Sequence, residues 1–412
     1  MTTRATNETA DGVVIVGAGP AGLAAALCLR ARGIAVTVLE AEGKGRVRPG
    51  SRALFVHRDS LRILEAADPG LGRAIAEYGL VWQVRRTLYR GRQIFVRTHP
   101  APPAGTMPPF TSLRQVDTER FLLDACEAAG VRIVWDARAD DVILSPDCAT
   151  VCGSGGRRWS GAYVIGADGA RSAVRRAAGI PALGSRTKAF HVVLDVEADE
   201  GDPMLRDRVF HYRHPRVGGR NVLRVPFTGG FQIDLQCAAA DSAAEWGTEE
   251  RAREWITKVV DASYVARIRW VSTYRFLRVV AENFTDAHRR ILLIGEAAHL
   301  FPPFGARGMN SAFADAAEAA AAIERGFRAD ADGERAAAIE EFALARRSAA
   351  LRNAAATARA SAHLDPGPGR RFAQAAAAAL APLIPACGRW MESAPYAANA
   401  PAGRAGTANR RY

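Results

Sequence analysis

Residues 13–22 read Val-Val-Ile-Val-Gly-Ala-Gly-Pro-Ala-Gly, and the apolar segment 23–29 follows directly. A strand, a glycine turn and a helix in this order are the setting of the G-x-G-x-x-G dinucleotide fingerprint. Gly17 permits the turn, Gly19 lets the backbone approach a pyrophosphate, and Gly22 lets the helix pack closely on the strand. Pro20 and Ala21 stand where the helix N terminus offers N–H groups to phosphate.

An acidic residue completes this pattern. The apolar segment 34–39 reads as a second strand and ends at Glu40, in the position that binds ribose hydroxyls in such sites. A glycine-rich turn without a ligand is the alternative. The two strands and Glu40 together favour a dinucleotide site.

Composition sets the broad class. The chain has 412 residues, 49% of them hydrophobic, which is enough for two or more domains with a large core. The first ten residues are polar, and no apolar run reaches the roughly 18 residues of a membrane span. We therefore expect a cytoplasmic protein that neither spans a membrane nor carries a signal peptide.

The formal net charge of +12 comes from arginine, since the chain has three lysines. The arginines form scattered pairs without interleaved aromatic residues, so nucleic-acid binding is not expected, and the charge is compatible with an anionic substrate. The six cysteines show no C-x-x-C and no metal-ligand spacing. We expect reduced thiols and no bound metal.

The periodicity changes at about residue 189. Four apolar–polar strands follow, and in the last of them Phe231, Ile233 and Leu235 alternate with polar residues. A helix and a further strand come next. This pattern predicts an antiparallel sheet with a helical cover, inserted as a substrate layer.

Two more glycine-rich segments follow apolar strands. Residues 166–172 read Gly-Ala-Asp-Gly-Ala-Arg-Ser, and residues 295–311 read Gly-Glu-Ala-Ala-His-Leu-Phe-Pro-Pro-Phe-Gly-Ala-Arg-Gly-Met-Asn-Ser. With the first glycine turn, their order resembles the class A flavoprotein monooxygenases, aromatic hydroxylases with the p-hydroxybenzoate hydroxylase fold, over roughly residues 12–360. Residues 51–53 and 270–276 are similar to the phenylpropionate hydroxylase-like branch.

The resemblance implies FAD as the cofactor and assigns its contacts. Arg52 is expected near the pyrophosphate and the moving flavin, Gln115 near the ribityl and phosphate region, and Asp168 in a motif that serves FAD and the nicotinamide. Glu296 stands where the family has an aspartate, a departure of one methylene. The cofactor-binding residues expected in this way are Gly17, Gly19, Pro20, Ala21, Gly22, Glu40, Arg52, Gln115, Asp168, Glu296, Gly308, Met309 and Asn310.

The third motif is expected to hold the reactive ring. Gly308, Met309 and Asn310 begin a helix whose free N–H groups can face the flavin N1–C2=O edge, where negative charge collects on reduction. Pro303 matches the family proline whose carbonyl faces the substrate. With Arg52, Pro303 is therefore a candidate for the catalytic centre.

The implied reaction is a flavin cycle. NADH or NADPH reduces FAD, reduced flavin and O2 form a C4a-hydroperoxide, and one oxygen is transferred to a phenolic or related aromatic ring. A same-fold epoxidase, a Baeyer–Villiger enzyme or a flavin-dependent reductase is the alternative, and a non-catalytic flavin-binding protein is another. Either a monomer or a homodimer fits.

Pocket residues are nominated from the inserted sheet. His211 and Tyr212 lie on a strand near the expected pocket wall, where either could help to deprotonate a phenol; a solvent-facing strand is the alternative. Further polar residues that we expect to line the substrate pocket are Arg224, Gln232, Asp234 and Gln236.

The segments together predict an α/β fold, with a Rossmann-like FAD-binding domain, an inserted antiparallel-sheet substrate domain and C-terminal helices. The tail is small and polar and is expected to be disordered. The expected boundaries are 1–80, 110–188 and 285–330 for the FAD-binding domain, 81–109 and 189–284 for the substrate domain, 331–390 for the C-terminal helices and 391–412 for the tail.

Overall fold

The structure, a computed structural model, describes residues 12–46, 53–103, 105–187 and 189–396, together with a short strand at 7–9. The strands are β1 Asn7–Thr9, β2 Val13–Val16, β3 Val36–Leu39, β4 Phe55–His57, β5 Val84–Tyr89, β6 Arg92–Thr98, β7 Phe110–Ser112, β8 Arg132–Val134, β9 Ala139–Leu144, β10 Ala149–Gly153, β11 Arg158–Gly161, β12 Tyr163–Gly166, β13 Ala182–Arg186, β14 Phe190–Glu197, β15 Asp207–His214, β16 Arg220–Phe227, β17 Gly230–Cys237, β18 Ile268–Tyr274, β19 Leu277–Ala281, β20 Ile291–Leu293 and β21 His299–Leu300.

The α-helices are α1 Pro20–Arg30, α2 Arg58–Ala67, α3 Leu71–Tyr78, α4 Gln115–Ala128, α5 Ala173–Ala177, α6 Ala243–Trp246, α7 Glu249–Ile256, α8 Arg307–Arg328, α9 Asp332–Leu364, α10 Pro368–Leu380 and α11 Pro385–Ser393. Short 3₁₀ turns lie at Ser154–Gly156, Pro203–Leu205, Pro215–Val217, Ala262–Arg267, Gly295–Ala297 and Ala394–Tyr396.

A parallel sheet forms the first layer, with strand order β20-β12-β2-β3-β8. Every residue of β2, β3 and β12 is buried, as expected for a parallel sheet covered on both faces. Helices α1 and α8 contribute to the same hydrophobic core. The predicted Rossmann-like layer is therefore confirmed, and the glycine turn lies at the carboxyl end of β2, where such sheets bind ligands.

A second sheet of seven strands, called the large sheet below, has the order β18-β14-β17-β16-β15-β5-β6. Its strands are antiparallel except for the parallel pair β15 and β5. On one face, Phe231, Ile233 and Leu235 are fully buried against Trp255 and Ile256 of the covering helix α7. The predicted antiparallel sheet with a helical cover and the alternation along β17 are both confirmed, and the role of this sheet as the substrate layer stays a prediction.

The large sheet draws strands from both segments predicted for the substrate domain. Strands β5 and β6 come from 81–109, and β14 to β18 come from 189–284. The domain boundaries themselves stay a prediction. No helix among the described residues is long and apolar enough to cross a membrane.

The start of the predicted tail is ordered instead. Residues 391–393 end α11 and Ala394–Tyr396 form a 3₁₀ turn. Met391 is fully buried and Glu392 is nearly so. The prediction was wrong here because composition does not show that the Glu392 carboxylate pairs with Arg97, 2.8 Å away on β6. Residues 397–412 lie outside the described part.

Candidate functional site

The glycine turn divides its three glycines between fold and ligand. Gly17 has φ of +105°, and a Cβ on it would lie 2.5 Å from the Ala167 carbonyl oxygen. A Cβ on Gly22 would lie 1.9 Å from the Gly17 carbonyl oxygen. A Cβ on Gly19 would meet nothing within 4 Å in the described structure. Gly17 and Gly22 are therefore required by packing, whereas Gly19 borders open space beside the first turn of α1.

Glu40 is tied to this turn. Its Oε2 accepts a hydrogen bond from the Ala18 N–H at 2.8 Å, and its Oε1 accepts one from the Glu42 N–H at 3.1 Å. Burial opposes ionisation, but the hydrogen bond and charge of Arg46, with these two N–H groups, outweigh it and lower the pKa of Glu40. Glu40 is therefore a fixed carboxylate at the edge of the turn.

Arg46 is a residue of this site that the sequence analysis missed. Its guanidinium is paired with Glu40 and donates a hydrogen bond to the Ala18 carbonyl at 2.7 Å. It also lies 5.6 Å from the ring centre of Trp135. The signal was an arginine on the glycine-rich loop close after the acidic residue.

Asp168 stands in the second glycine-rich segment, just before α5. Its Oδ2 accepts hydrogen bonds from the N–H groups of Ala173 at 2.7 Å and Val174 at 3.1 Å. Its Oδ1 is enclosed and has no partner within the described ranges. Because buried carboxylate oxygens are rarely left unpaired, this atom fits a hydroxyl donor on a ligand.

Glu296 lies in the 3₁₀ turn Gly295–Ala297 with an exposed side chain, and no residue of the described structure is hydrogen bonded to it. Asp315 holds the turn in place. The Gly295 N–H donates to its carboxylate at 3.1 Å, and His299 Nε2 lies 2.7 Å from the same carboxylate. Arg346 donates to its other oxygen at 2.7 Å. Burial opposes ionisation of Asp315, but His299 and Arg346 outweigh it and lower its pKa.

The start of α8 follows a strained loop. Ala306, with φ of +51°, precedes the helix, and its N–H donates to the Pro303 carbonyl at 2.9 Å. The first N–H groups of the helix, which include those of Gly308 and Met309, lack intrahelical acceptors by geometry. These N–H groups follow the turn that carries Glu296 along the chain. The positive end of the helix dipole at this terminus would favour a negatively charged ring edge.

The Asn310 side chain is fully engaged in hydrogen bonds to neighbouring residues and does not face open space. Its Oδ1 accepts from the His57 N–H at 2.8 Å and the Ser60 hydroxyl at 2.7 Å. Its Nδ2 donates to the carbonyls of Phe55 at 2.9 Å and Ala306 at 2.7 Å. Any contact of Asn310 with a cofactor is therefore left to its backbone.

Gln115 is the first residue of α4, and its Nε2 donates to Glu119 Oε1 at 2.9 Å. Arg52 lies outside the described residues, so its expected place near the pyrophosphate and the flavin stays a prediction.

The face of the large sheet opposite α7 meets the loop after Glu296. His191 on β14 places Nδ1 2.6 Å from Asp234 Oδ1 on β17. The His191 ring centre is 4.6 Å from that of Phe276 and 5.9 Å from that of Phe304, which follows Pro303 directly. These side chains form the candidate substrate wall. His191 was missed because its partner is 43 positions away along the chain.

The other predicted pocket residues divide between the two faces. Gln232 and Gln236 share the face of Asp234, but Gln232 donates to Asp195 at 2.9 Å and Gln236 to the Leu364 carbonyl at 3.1 Å. Arg224 pairs in register with the core residue Ile233 and forms an ion pair with Asp207 on the opposite face. The structure therefore does not bring Arg224 to the wall that holds Asp234.

His211 and Tyr212 point to opposite faces of β15. His211 Nε2 accepts a hydrogen bond from the Gly91 N–H at 2.8 Å, and burial followed by the charge of His214 lowers its pKa to about 4. Tyr212 is fully buried and donates to the Met391 carbonyl at 2.7 Å. Burial also raises the Tyr212 pKa well above its ordinary value. The catalytic role predicted for either residue is not favoured by these contacts.

Acceptors at Glu40, Asp168 and Glu296, with open space at Gly19, fit the hydroxyls and pyrophosphate of a dinucleotide. Residues 11–354 match the family described as FAD binding domain, and the chain belongs to that family. The match confirms the resemblance to the class A flavoprotein monooxygenases and FAD as the cofactor. Within the described ranges no group of acidic, histidine or cysteine side chains could hold a metal ion.

Relatives and solved structures agree. A flavin-dependent monooxygenase of Mycobacteroides abscessus is 27% identical over 326 residues, 74% of this chain and 65% of the relative. The 6-methylpretetramide 4-monooxygenase of Streptomyces rimosus is 32% identical over 330 residues, 74% and 55% respectively. The chain thus spans less than two thirds of the length of these curated relatives. The crystal structure of p-nitrophenol 4-monooxygenase from Pseudomonas putida shares the fold, with a TM-score of 0.75, 23% identity and 94% of both chains covered.

Proposed function

We propose that the protein is an FAD-dependent monooxygenase that uses NADH or NADPH and O2 to hydroxylate a phenolic or related aromatic small molecule. One observation carries the proposal: His191 and Phe304 bring the polar wall of the large sheet to the loop that runs from Glu296 to α8. The loop from Glu296 to α8 would therefore contact the cofactor on one side and the polar, aromatic-lined wall on the other. The names of the relatives support the same reaction class.

The chain's own residues would hold the cofactor in a defined order. Glu40, fixed by Arg46, would accept the hydroxyls of the adenosine ribose, and the backbone at Gly19 would approach the pyrophosphate. Asp168 Oδ1 and the Glu296 carboxylate would accept further hydroxyl hydrogen bonds. The N terminus of α8 would stabilise negative charge on the ring. Bound FAD would supply the redox chemistry with the nicotinamide and O2.

His191 would accept the substrate proton. Its Nδ1 faces Asp234, and its Nε2 makes no hydrogen bond within the described residues. When the phenolic O–H bond breaks, the proton passes to Nε2 and the electron pair stays on the phenolate oxygen, which makes the ring more nucleophilic. The Asp234 carboxylate would stabilise the imidazolium that forms. Phe276 and Phe304 would keep water from the reacting ring.

The test begins with purified protein loaded with FAD. Reduction of the flavin by NADH and by NADPH is followed with a panel of phenols, together with O2 uptake and the mass of the product. We expect ligand-stimulated reduction and a product heavier by one oxygen atom. Colourless protein that cannot bind FAD would contradict the proposal, and bound FAD that no nicotinamide reduces would indicate a non-catalytic flavin-binding protein.

The same assay separates the alternative reactions. A reductase would consume the nicotinamide without adding oxygen to the product, whereas an epoxidase or a Baeyer–Villiger enzyme would add one oxygen at a different position. A cytoplasmic location and a monomer or homodimer belong to the proposal as well. The six cysteines, which form no disulfide, are consistent with that location.

A further inference from the structure

Five large apolar side chains are exposed on the last two α-helices of the described chain. They lie on α10, on the turn between α10 and α11, and on α11. The α10–α11 surface, as it is called below, consists of Phe372, Leu380, Leu383, Ile384 and Trp390. Phe372 is 77% exposed and Leu383 is 81% exposed. Large apolar side chains that collect on one surface segment mark an interaction site.

The opposite side of these helices is packed against the large sheet. Buried residues of α10 and α11, Ala377, Ala378 and Met391, share a hydrophobic cluster with Phe210 on β15. Phe210 pairs with Leu223, and Leu223 pairs with Asp234, so this packing is on the face of Asp234. Phe304, from the candidate substrate wall, packs against the same cluster. The α10–α11 surface is therefore the outer side of a layer that covers part of that face.

The charge of this surface has one sign. Residues 366–412 contain six arginines and one acidic residue, Glu392. Arg370, Arg371 and Arg389 are exposed on α10 and α11. Glu392 is buried, with its carboxylate 2.8 Å from Arg97 on β6, so it does not reach the surface.

Neighbouring elements add more positive than negative charge. Arg92 on β6 is exposed and donates a hydrogen bond to the Ala378 carbonyl at 3.2 Å. Asp365, directly after α9, is an exposed carboxylate near the start of α10. His363 on α9 is neutral at pH 7, because burial and then the charge of Arg370 lower its pKa to about 4. Among these described residues, four exposed arginines therefore stand against one exposed carboxylate.

A cavity of about 220 Å³ lies at the start of α10, beside this surface. Its lining comes from the start of α10 and from the large sheet, and includes Pro366, Arg371, Asn221 and Gln236. Gln236 pairs in register with His191. The first turn of α10 thus separates the exposed Phe372 from a cavity on the strands of the candidate substrate wall.

The charges disfavour a second copy of the chain as the occupant of this surface. In a two-fold symmetric dimer the same patch lies on both sides of the interface. Arg370, Arg371 and Arg389 would then face their own counterparts, and like charges brought together weaken association. A partner that is apolar in its interior and negatively charged at its boundary fits the surface instead.

We propose that the α10–α11 surface docks on an anionic lipid surface. The aromatic and aliphatic side chains enter the boundary between head groups and acyl chains, and the flanking arginines bind the lipid phosphates. The contact is peripheral, and it brings the end of α10 that carries the cavity to the lipid. This inference goes beyond the proposed function and does not rest on it.

The test uses the full-length, FAD-loaded protein and measures the fraction that floats with lipid vesicles. Vesicles of phosphatidylcholine alone are compared with vesicles in which about one third of the lipid is phosphatidylglycerol. We expect binding to the anionic vesicles to be about 10-fold tighter or more, and to weaken as salt rises from about 0.1 M to about 0.5 M. Equal binding to both vesicles, or binding to neither, would overturn the inference.

A first double variant assigns the contact to the apolar side chains. F372Q/L383Q should weaken binding to the anionic vesicles about 10-fold or more, because two apolar groups no longer enter the lipid. L344Q is the matched control, because Leu344 is 60% exposed on α9, one turn from the exposed Glu341. L344Q should bind the vesicles as the wild type does.

A second double variant tests the charges. R370Q/R389Q should weaken binding about 10- to 30-fold, since each arginine near an anionic lipid surface contributes about 5-fold. R269Q is its control, because Arg269 is exposed on β18 and paired at 2.7 Å with Glu197. Full binding by both double variants would place the lipid contact elsewhere on the chain and would overturn the inference.

Association state and stability complete the experiment. The substituted side chains are exposed, so both double variants should keep the Tm and the FAD affinity of the wild type. A wild-type dimer that F372Q/L383Q dissociates, together with no binding to either vesicle, would assign the surface to a second copy and contradict the inference. No measurement needs turnover, so vesicle binding by a protein that oxygenates no phenol would refute the proposed function alone.

Discussion

His191 Nδ1 lies 2.6 Å from Asp234 Oδ1, on the face of the large sheet opposite α7. The residues beside them, such as Val192 and Leu235, are fully buried in the opposite core. Because that core fixes both strands, the two polar side chains are held in one relative position. Preorganisation of this kind is what a proton-accepting pair needs.

The first prediction concerns this pair. H191N should lower kcat/KM about 10²-fold or more for weakly acidic phenols, because the proton acceptor is lost. Phenols that are already ionised at the assay pH should be affected far less. Steady-state kinetics with a series of phenols of graded acidity, across pH, checks this. An equal loss for every phenol would point to a structural role instead.

The second prediction separates two glycines of the first motif. G22A should destabilise the protein and lower its Tm, because the new methyl group would lie 1.9 Å from the Gly17 carbonyl oxygen. G19A should leave Tm nearly unchanged, since no described atom lies within 4 Å of the added group, but should weaken FAD binding. Thermal unfolding and fluorescence titration with FAD measure the two effects. A G19A variant with wild-type FAD affinity would argue against this place for the pyrophosphate.

The third prediction concerns Glu40. E40Q should reduce FAD affinity about 10-fold or more, because a charged acceptor for the ribose is lost and Arg46 loses the nearest of its carboxylate partners. E77Q, which changes an exposed carboxylate on α3, is the control and should bind FAD normally. Equilibrium dialysis of FAD against both variants provides the comparison. Equal affinities would mean that Glu40 serves only to fix Arg46.

The fourth prediction is a pH dependence of stability. Asp315 is fully buried and its folded-state pKa lies below the ordinary value of 3.8. Its contribution is therefore complete above that value and is lost as pH falls through the folded-state pKa. D315N should cost about 3–5 kcal/mol at pH 7, because His299 and Arg346 lose their partner.

The same variant should also show a shallower loss of stability in acid. Urea unfolding of wild type and D315N at pH 7 and at several acidic pH values below 4 tests both statements. Parallel stability curves for the two proteins would contradict the assigned pKa shift. N353A, on α9 like the Asp315 partner Arg346, removes a neutral partner of Arg307 and provides a comparison for the loss of an uncharged hydrogen bond between α8 and α9.

Local features of the fold were predictable because they depend on neighbours in the sequence. The strand, turn and helix at 13–30 and the helix Arg58–Ala67 follow from apolar periodicity and glycine placement. The polar face of β17, with Asp234, follows from alternation. Gln232, Asp234 and Gln236 therefore share one face, although only the structure shows that Asp234 pairs with His191 beside the loop after Glu296.

The remaining features depend on register between distant strands. Arg224 lies on the core face because β16 pairs it with Ile233, and the register of β15 against β16 shifts between His211 and His214. Tyr212 was buried by α11, which lies far along the chain. The His191–Asp234 pair likewise joins two strands that are distant in the sequence. The sequence of one strand does not show which residues of the neighbouring strand it will face, so these contacts could not be predicted from sequence patterns.

The contacts of the Glu392 carboxylate can form only late in synthesis. Strands β5 and β6, with Arg85 and Arg97, leave the ribosome some 300 residues before it, since the contacts span 307 and 295 positions. Until α11 has emerged, these arginines have no partner from that helix and Tyr396 is not yet in place. A nascent chain arrested after α10 would contain every strand of the parallel sheet, yet Arg85 and Arg97 would still lack the Glu392 carboxylate.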